Sequence, residues 1–238
     1  MVDVLAAVLL TGLFCLFCGL LIGLAPTNAR AKLATLAVIW FTVVAALAAS
    51  GTFASIPAGA PALGLAVTLP VVIGVLGATR WSVLRALALE MPLPVLVAIH
   101  AGRILGVFFL LLLAADRLPP TFALIAGWGD IAVAVAALPL AWAIRQDVTG
   151  WRPVTYLWNS LGLADLITAV TLGVGSAPDS PVRFIFETPG SGIVASLPWA
   201  LIPGALVPLY ILTHLAIYAQ LARTVVGHKT SPTPEWSA

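Results

Sequence analysis

The sequence predicts an all-α, polytopic integral membrane protein: seven transmembrane helices, N-terminus outside and C-terminus in the cytoplasm. Three observations predict it. The 238 residues are 61% hydrophobic and 8% charged, whereas an ordinary soluble domain carries about 25% charged residues. Twenty Asp, Glu, Lys and Arg side chains cannot cover a water-soluble surface of this length, and the mean hydropathy is +1.11. Seven apolar segments reach the roughly 20 residues that a helix needs to cross a hydrocarbon core of about 30 Å. Basic residues gather in alternate connections, which fixes orientation. Soluble folds, nucleic-acid partners and wholly disordered chains are excluded together, and the lipid bilayer is the first partner.

The first segment, 4–24, has Asp3 and no basic residue ahead of it. Its apolar run is too long for a cleaved signal, so it reads as a retained helix. The second spans 33–55. The third, 62–79, is the shortest and carries Pro70, which makes it tilted or broken. Residues 80–91 read as a short interfacial helix with Trp81, Leu84 and Ala88 toward lipid. Pro92 and Pro94 restart the chain as the fourth span, 93–115. The fifth and sixth cover 121–145 and 155–175. The apolar stretch 183–186 lies in the connection 176–197, which either caps the bundle or dips into it. The seventh span, 198–222, closes a single domain of residues 1–222. Residues 223–238 have the composition of a disordered cytoplasmic tail.

Arg30, Lys32, Arg80, Arg85, Arg145, Arg152, Arg223 and Lys229 fall on one side, and only Arg117 and Arg183 on the other. The side rich in Arg and Lys faces the cytoplasm. Alternating ten-residue strands are absent, so an outer-membrane barrel is not expected.

Some motifs carry little chemistry. Cys15 and Cys18 form C-x-x-C inside an apolar helix, without the helix N-terminus that stabilises a thiolate. They read as two small packing residues, with redox chemistry as the weaker alternative. Gly19/Gly23 and Gly102/Gly106 suit close helix approach.

Ionisable groups inside the hydrocarbon are costly, and are therefore functional candidates. At about 1.5 Å per residue, Arg103, Asp130 and Asp165 come out at one level, roughly 15 Å deep. One arginine against two ionised carboxylates leaves a negative charge, so one Asp is expected to hold a proton or a cation. The alternative is a buried ion triad that only locks three helices in register. His100 and His214 form a second layer at about 10–12 Å, with Asn159 at a similar or shallower level. Tyr210, His214 and Tyr218 repeat every four residues as a polar stripe. Trp128, between Gly127 and Gly129 beside Asp130, and Trp158, on the face of Asp165, would line a polar cavity. Trp142, Trp151 and Trp199 read as interfacial anchors.

The two histidines could hold one haem or contribute to a metal site, but no H-x-x-x-H or H-E-x-x-H pair supports zinc. No cofactor is predicted. No lysine lies inside a predicted span, which excludes a retinal Schiff base, and G-x-S-x-G is absent.

The stretches RILGVFFL (103–110), LPPTFALIAGWGDIAVAVAALPLA (118–141), WNSLGLADLITAV (158–170) and LIPGALVPLYILTHL (201–215) resemble a family of uncharacterised multi-pass bacterial inner-membrane proteins. The resemblance implies a bacterial cytoplasmic-membrane location and carries no activity. Three functions follow from the residues. The first is proton-coupled transport of a small polar solute or cation at Arg103, Asp130 and Asp165, with the histidines relaying protons. The second is a haem- or metal-dependent oxidoreductase at His100 and His214, and the third a non-catalytic accessory or sensor. The balance leans away from an enzyme. Homo-oligomerisation stays open.

Overall fold

The computed structural model describes residues 1–55 and 59–229. Among these there is no strand, and seven helices are long and apolar enough to cross a membrane. Helix α1 spans Val2–Leu24 and α2 spans Thr27–Ala49, joined by a tight turn at Ala25 and Pro26. The second helix starts earlier than the sequence suggests, so Lys32 lies in its second turn, exposed on the surface. Helix α3, Gly59–Arg80, runs through Pro70 without a break. The expected interfacial helix is α4, Ser82–Leu89. Trp81 is exposed, but Leu84 packs at Gly77 and Ala88 packs inward, its carbonyl accepting from Gln220 at 3.0 Å.

The fourth span departs from a regular helix. It is built of α5 (Leu93–Ala98), a 3-10 stretch over Ile99–Gly106, and α6 (Val107–Ala114). Helices α7 (Pro120–Arg145) and α8 (Trp151–Ser176) follow. The last span opens with a π turn over Ile202–Leu206 and continues as α9, Val207–Lys229. The helix thus passes the boundary drawn at 222, and residues 230–238 of the expected tail lie outside the described residues.

Helix ends follow ordinary rules. Prolines occupy the first turn of α5 and of α7, where a missing N–H is harmless. Glu187, from the connection after α8, caps α7 by accepting from the Thr121 amide at 3.0 Å and from its hydroxyl. That connection both caps the bundle and enters it. Ser191 donates to the Gly173 carbonyl, and Val194 and Ala195 join the core. Trp199 is not an interfacial anchor. It is 1% exposed and donates to Asp3 Oδ1 at 2.9 Å, while Arg117 bonds the same carboxylate at 3.0 Å. A buried indole N–H needs an acceptor, and the N-terminal carboxylate supplies one.

The apolar interior divides into two clusters. One holds Phe14, Phe17, Phe108, Phe122 and Trp199, and the other holds Leu96, Trp158, Ile217 and Leu221. On α7 the boundary between them falls between Ala126 and Val133, on α8 between Trp158 and Leu166, and on α9 between Tyr210 and Ala216. Asp130, Asp165 and His214 occupy those three gaps.

Candidate functional site

The 3-10 stretch sets the site's first row. With three residues per turn, side chains at i and i+3 eclipse. His100, Arg103 and Gly106 therefore stack in one line, all buried. Arg103 is the hub. Its Nε donates to Asp130 Oδ1 at 2.6 Å, and its Nη2 donates to Asp165 Oδ2. Its Nη1 donates to the Gly162 carbonyl at 3.0 Å and faces His214 Nε2 at 3.3 Å. The arginine side chain is 1% exposed, while the two carboxylates keep 14% and 13%. The guanidinium is sealed in, and each acid retains an open side.

Hydrogen-bond direction fixes the state of His214. A guanidinium only donates, so Nε2 accepts and the ring proton sits on Nδ1. That proton goes to Asn159 Oδ1 at 2.7 Å, and Asn159 Nδ2 donates to the His214 carbonyl at 3.1 Å. His214 is thus a neutral imidazole held from both sides. Its ring centre lies 4.1 Å from that of His100, which also meets Trp158 edge-on at 5.3 Å and Tyr210 at 5.1 Å. The Thr213 hydroxyl lies 2.9 Å from the Tyr210 carbonyl, which takes its proton and leaves Oγ1 to accept from His100 Nε2 at 3.1 Å. His100 Nδ1 and the Tyr210 hydroxyl are buried with no hydrogen-bond partner among the described residues.

The two layers expected from depth are therefore one connected network, because His214 reaches Arg103 directly. Arg103, Asp130, Asp165, Asn159, His100, His214 and Tyr210 all come together. Trp128 does not. It is 59% exposed on the outer surface. It lies two positions before Asp130 on the same helix, and that spacing places them on different faces. Trp158 does belong, packing against both histidines and donating to the Val133 carbonyl at 3.1 Å. Tyr218 lies off the network, donating to Ser160 Oγ at 2.7 Å.

Three glycines make the packing fit. A Cβ at Gly106 would collide with Asp130, one at Gly129 with Asp165, and one at Gly162 with His214. The space beside Gly127 is filled by Leu110 and the Gly106 carbonyl. The thinned helix around Trp128 thus admits the protein's own side chains and the backbone of the fourth span. Gly102 likewise faces Leu13 and Tyr210, whereas nothing lies within 4 Å of a Cβ at Gly19 or Gly23. Cys18 packs partly against the core, and Cys15 is exposed. Sequence reasoning missed Thr213 and Gly162, and it named Gly106 and Gly129 without seeing that they face carboxylates. For Gly106 and Gly162 the signal lay in the three-residue spacings 100–103–106 and 159–162–165, each of which links a polar residue to a glycine.

The histidines do not fit a bis-histidine haem. Rings 4.1 Å apart leave no room for a porphyrin, and both nitrogens of His214 already have partners. Among the described residues no group of three or more His, Cys, Asp or Glu could hold a metal ion.

Two hollows meet at Asp130. One, of about 200 Å³, reaches from the exposed Ser55 and Asp179 down to the carboxylate. The other, of about 30 Å³, lies among Arg103, Asp130, Gly106 and Tyr210. Their shared walls include Phe109, Leu166 and Ile202, so the π turn and the 3-10 stretch both border this junction.

A family model described as a domain of unknown function, DUF8737, matches residues 60–222. That span contains every residue of the network and all four stretches that carry the inner-membrane resemblance. No curated protein and no solved structure matches the chain.

Proposed function

We propose that this chain, which belongs to the DUF8737 family of unknown function, couples movement of a small solute or ion to protons at Arg103, Asp130 and Asp165. One observation carries the reading. Two carboxylates share a single guanidinium at the foot of a hollow that opens at the surface. Both acids ionised would leave an unpaired negative charge at low dielectric, so the cluster holds a proton or a cation as its neutral state. The accessible sides of Asp130 and Asp165 let that ion exchange. The neutral His214 and the adjoining His100 extend the polar path away from the hollow, toward the end of the bundle rich in Arg and Lys.

The same reading sets the protein in the cytoplasmic membrane of a bacterium, N-terminus outside. The eight basic residues at one end and the resemblance of the four stretches support this. The hollow then opens outward. In proteoliposomes carrying a pH-sensitive dye, wild-type protein is expected to dissipate an imposed proton gradient. Asp130→Asn and Asp165→Asn are expected to insert normally and lose that flux. If both variants matched wild type, the proton-coupling reading would fall.

A second reading, a structural ion lock in an accessory protein, is favoured by the guanidinium having acceptors on three sides. Combining Arg103→Leu with both Asp→Asn changes discriminates them: a pure lock would keep assembly and phenotype in the triple variant.

A further inference from the structure

We propose that the hollow above Asp130 binds a small lipophilic ammonium ion, with its apolar body in the hollow and its charged head on the free oxygen of Asp130. The proposal rests on the ion-exchange reading of that same cluster and names the chemistry of its ligand.

Size comes first. An apolar cavity of about 150 Å³ holds a benzene molecule, so about 200 Å³ takes one ring with a short tail. Wall chemistry comes second. Leu63, Val67, Phe122 and Val170 line the sides, and among the described residues the charged side chains along the hollow are Asp130 and Asp179. None of the described lysines, arginines or histidines borders it. An anion has no partner there, and a small hydrated metal cation would lose its water without enough oxygens to replace it. An ammonium group on an apolar body meets neither objection.

The third argument is hydrogen bonding. Asp130 spends Oδ1 on Arg103, and its Oδ2 accepts no hydrogen bond from the described residues. A bound ammonium supplies the missing donor. It also makes the charges of the cluster sum to zero, with two cations against two carboxylates. The proton that balanced the cluster before then leaves, so one monovalent cation enters as one proton departs. The groups facing Asp130 in this exchange are Arg103, and through it Asp165 and His214, with Tyr210 across the smaller hollow.

The test uses the purified full chain in lipid nanodiscs and three probes of one shape: phenethylammonium, 2-phenylethanol and phenylacetate. Titration calorimetry is expected to show saturable binding of phenethylammonium at least tenfold tighter than of the alcohol, and none of phenylacetate. Repeating it in buffers of different ionisation enthalpy is expected to show about one proton released per cation. Asp130→Asn should weaken the ammonium at least tenfold and remove the proton release, while leaving the alcohol unchanged. A Cβ at Gly64, on the wall, meets nothing within 4 Å. Gly64→Leu therefore adds bulk at the wall of the hollow without touching the ion cluster, and should weaken ammonium and alcohol alike.

Equal binding of alcohol and ammonium, or unchanged binding by folded Gly64→Leu, overturns the proposal. Absence of binding by any probe, with Asp130-dependent proton flux intact, overturns it while leaving proton coupling in place. Ammonium binding as expected without proton flux supports the site and removes the transport reading instead.

Discussion

Arg103 is the residue on which the interior depends. A single side chain from the 3-10 stretch satisfies Asp130, Asp165, the Gly162 carbonyl and one face of His214. Its removal strands two carboxylates in the interior of the bundle. Arg103→Leu is expected to lower stability by about 3–5 kcal/mol, as loss of one partner of a buried pair does. The triple variant with both Asp→Asn should recover most of that, and thermal unfolding in detergent reads both. A smaller effect belongs to Asn159. Asn159→Leu removes the acceptor that holds the His214 proton on Nδ1 and should cost about 1–3 kcal/mol. Its second signature would be a shifted His214 Nδ1–H resonance in nitrogen NMR, with the tautomer still fixed by Arg103. The sequence already pointed to Arg103, Asp130 and Asp165, because buried charges are rare enough to stand out and a constant helical rise converts position into depth. It did not show that His214 would be a ligand of Arg103. That contact depends on the rotation of α9, which depth arithmetic does not contain.

Among the elements, the fourth span shows how local geometry builds the site. A regular α-helix turns about 100° per residue, so residues three apart are offset by about 60°. The 3-10 geometry removes that offset and lines up His100, Arg103 and Gly106. A π turn at Ile202–Leu206 borders the same junction from the other side. Glycines then allow the helices to close around the polar groups. Gly129→Ala and Gly106→Ala each place a methyl on a carboxylate-bearing side chain, so each should destabilise by about 1–3 kcal/mol through overpacking. Gly19→Ala is the matched control, since nothing lies within 4 Å, and its melting temperature should not fall. The identical G-x-x-x-G spacing in α1 and in the fourth span therefore serves packing in the second case alone within this chain. Spacing says that a groove exists, and only the neighbour decides whether the groove is filled.

For the whole molecule, burial is uneven. The last span and the fourth are half buried or more, whereas α2 and α3 present most of their length outward. That pattern places α2 and α3 at the rim, while the contacts of Arg103 place the ion cluster among the 3-10 stretch, α7, α8 and α9. Topology belongs to this scale. With Cys15 and Cys18 replaced by alanine, Val182→Cys is expected to react with a membrane-impermeant maleimide in intact cells. Arg152→Cys should react only after permeabilisation. The reverse pattern would invert the orientation, and with it the outward opening of the hollow.

The sequence by itself determined the class, the seven spans and the shared depth of three charges. Hydrocarbon thickness and the cost of a buried ion act on each segment separately, so composition and helical rise suffice to read them. Only the tertiary structure decided which polar groups touch. It joined the histidine layer to Arg103, sent Trp128 outward, drew Trp199 onto Asp3 and opened a hollow above Asp130. Those outcomes depend on how each helix is rotated and on where it departs from regular α geometry. Both are fixed by packing between segments far apart in the chain, which no single segment encodes.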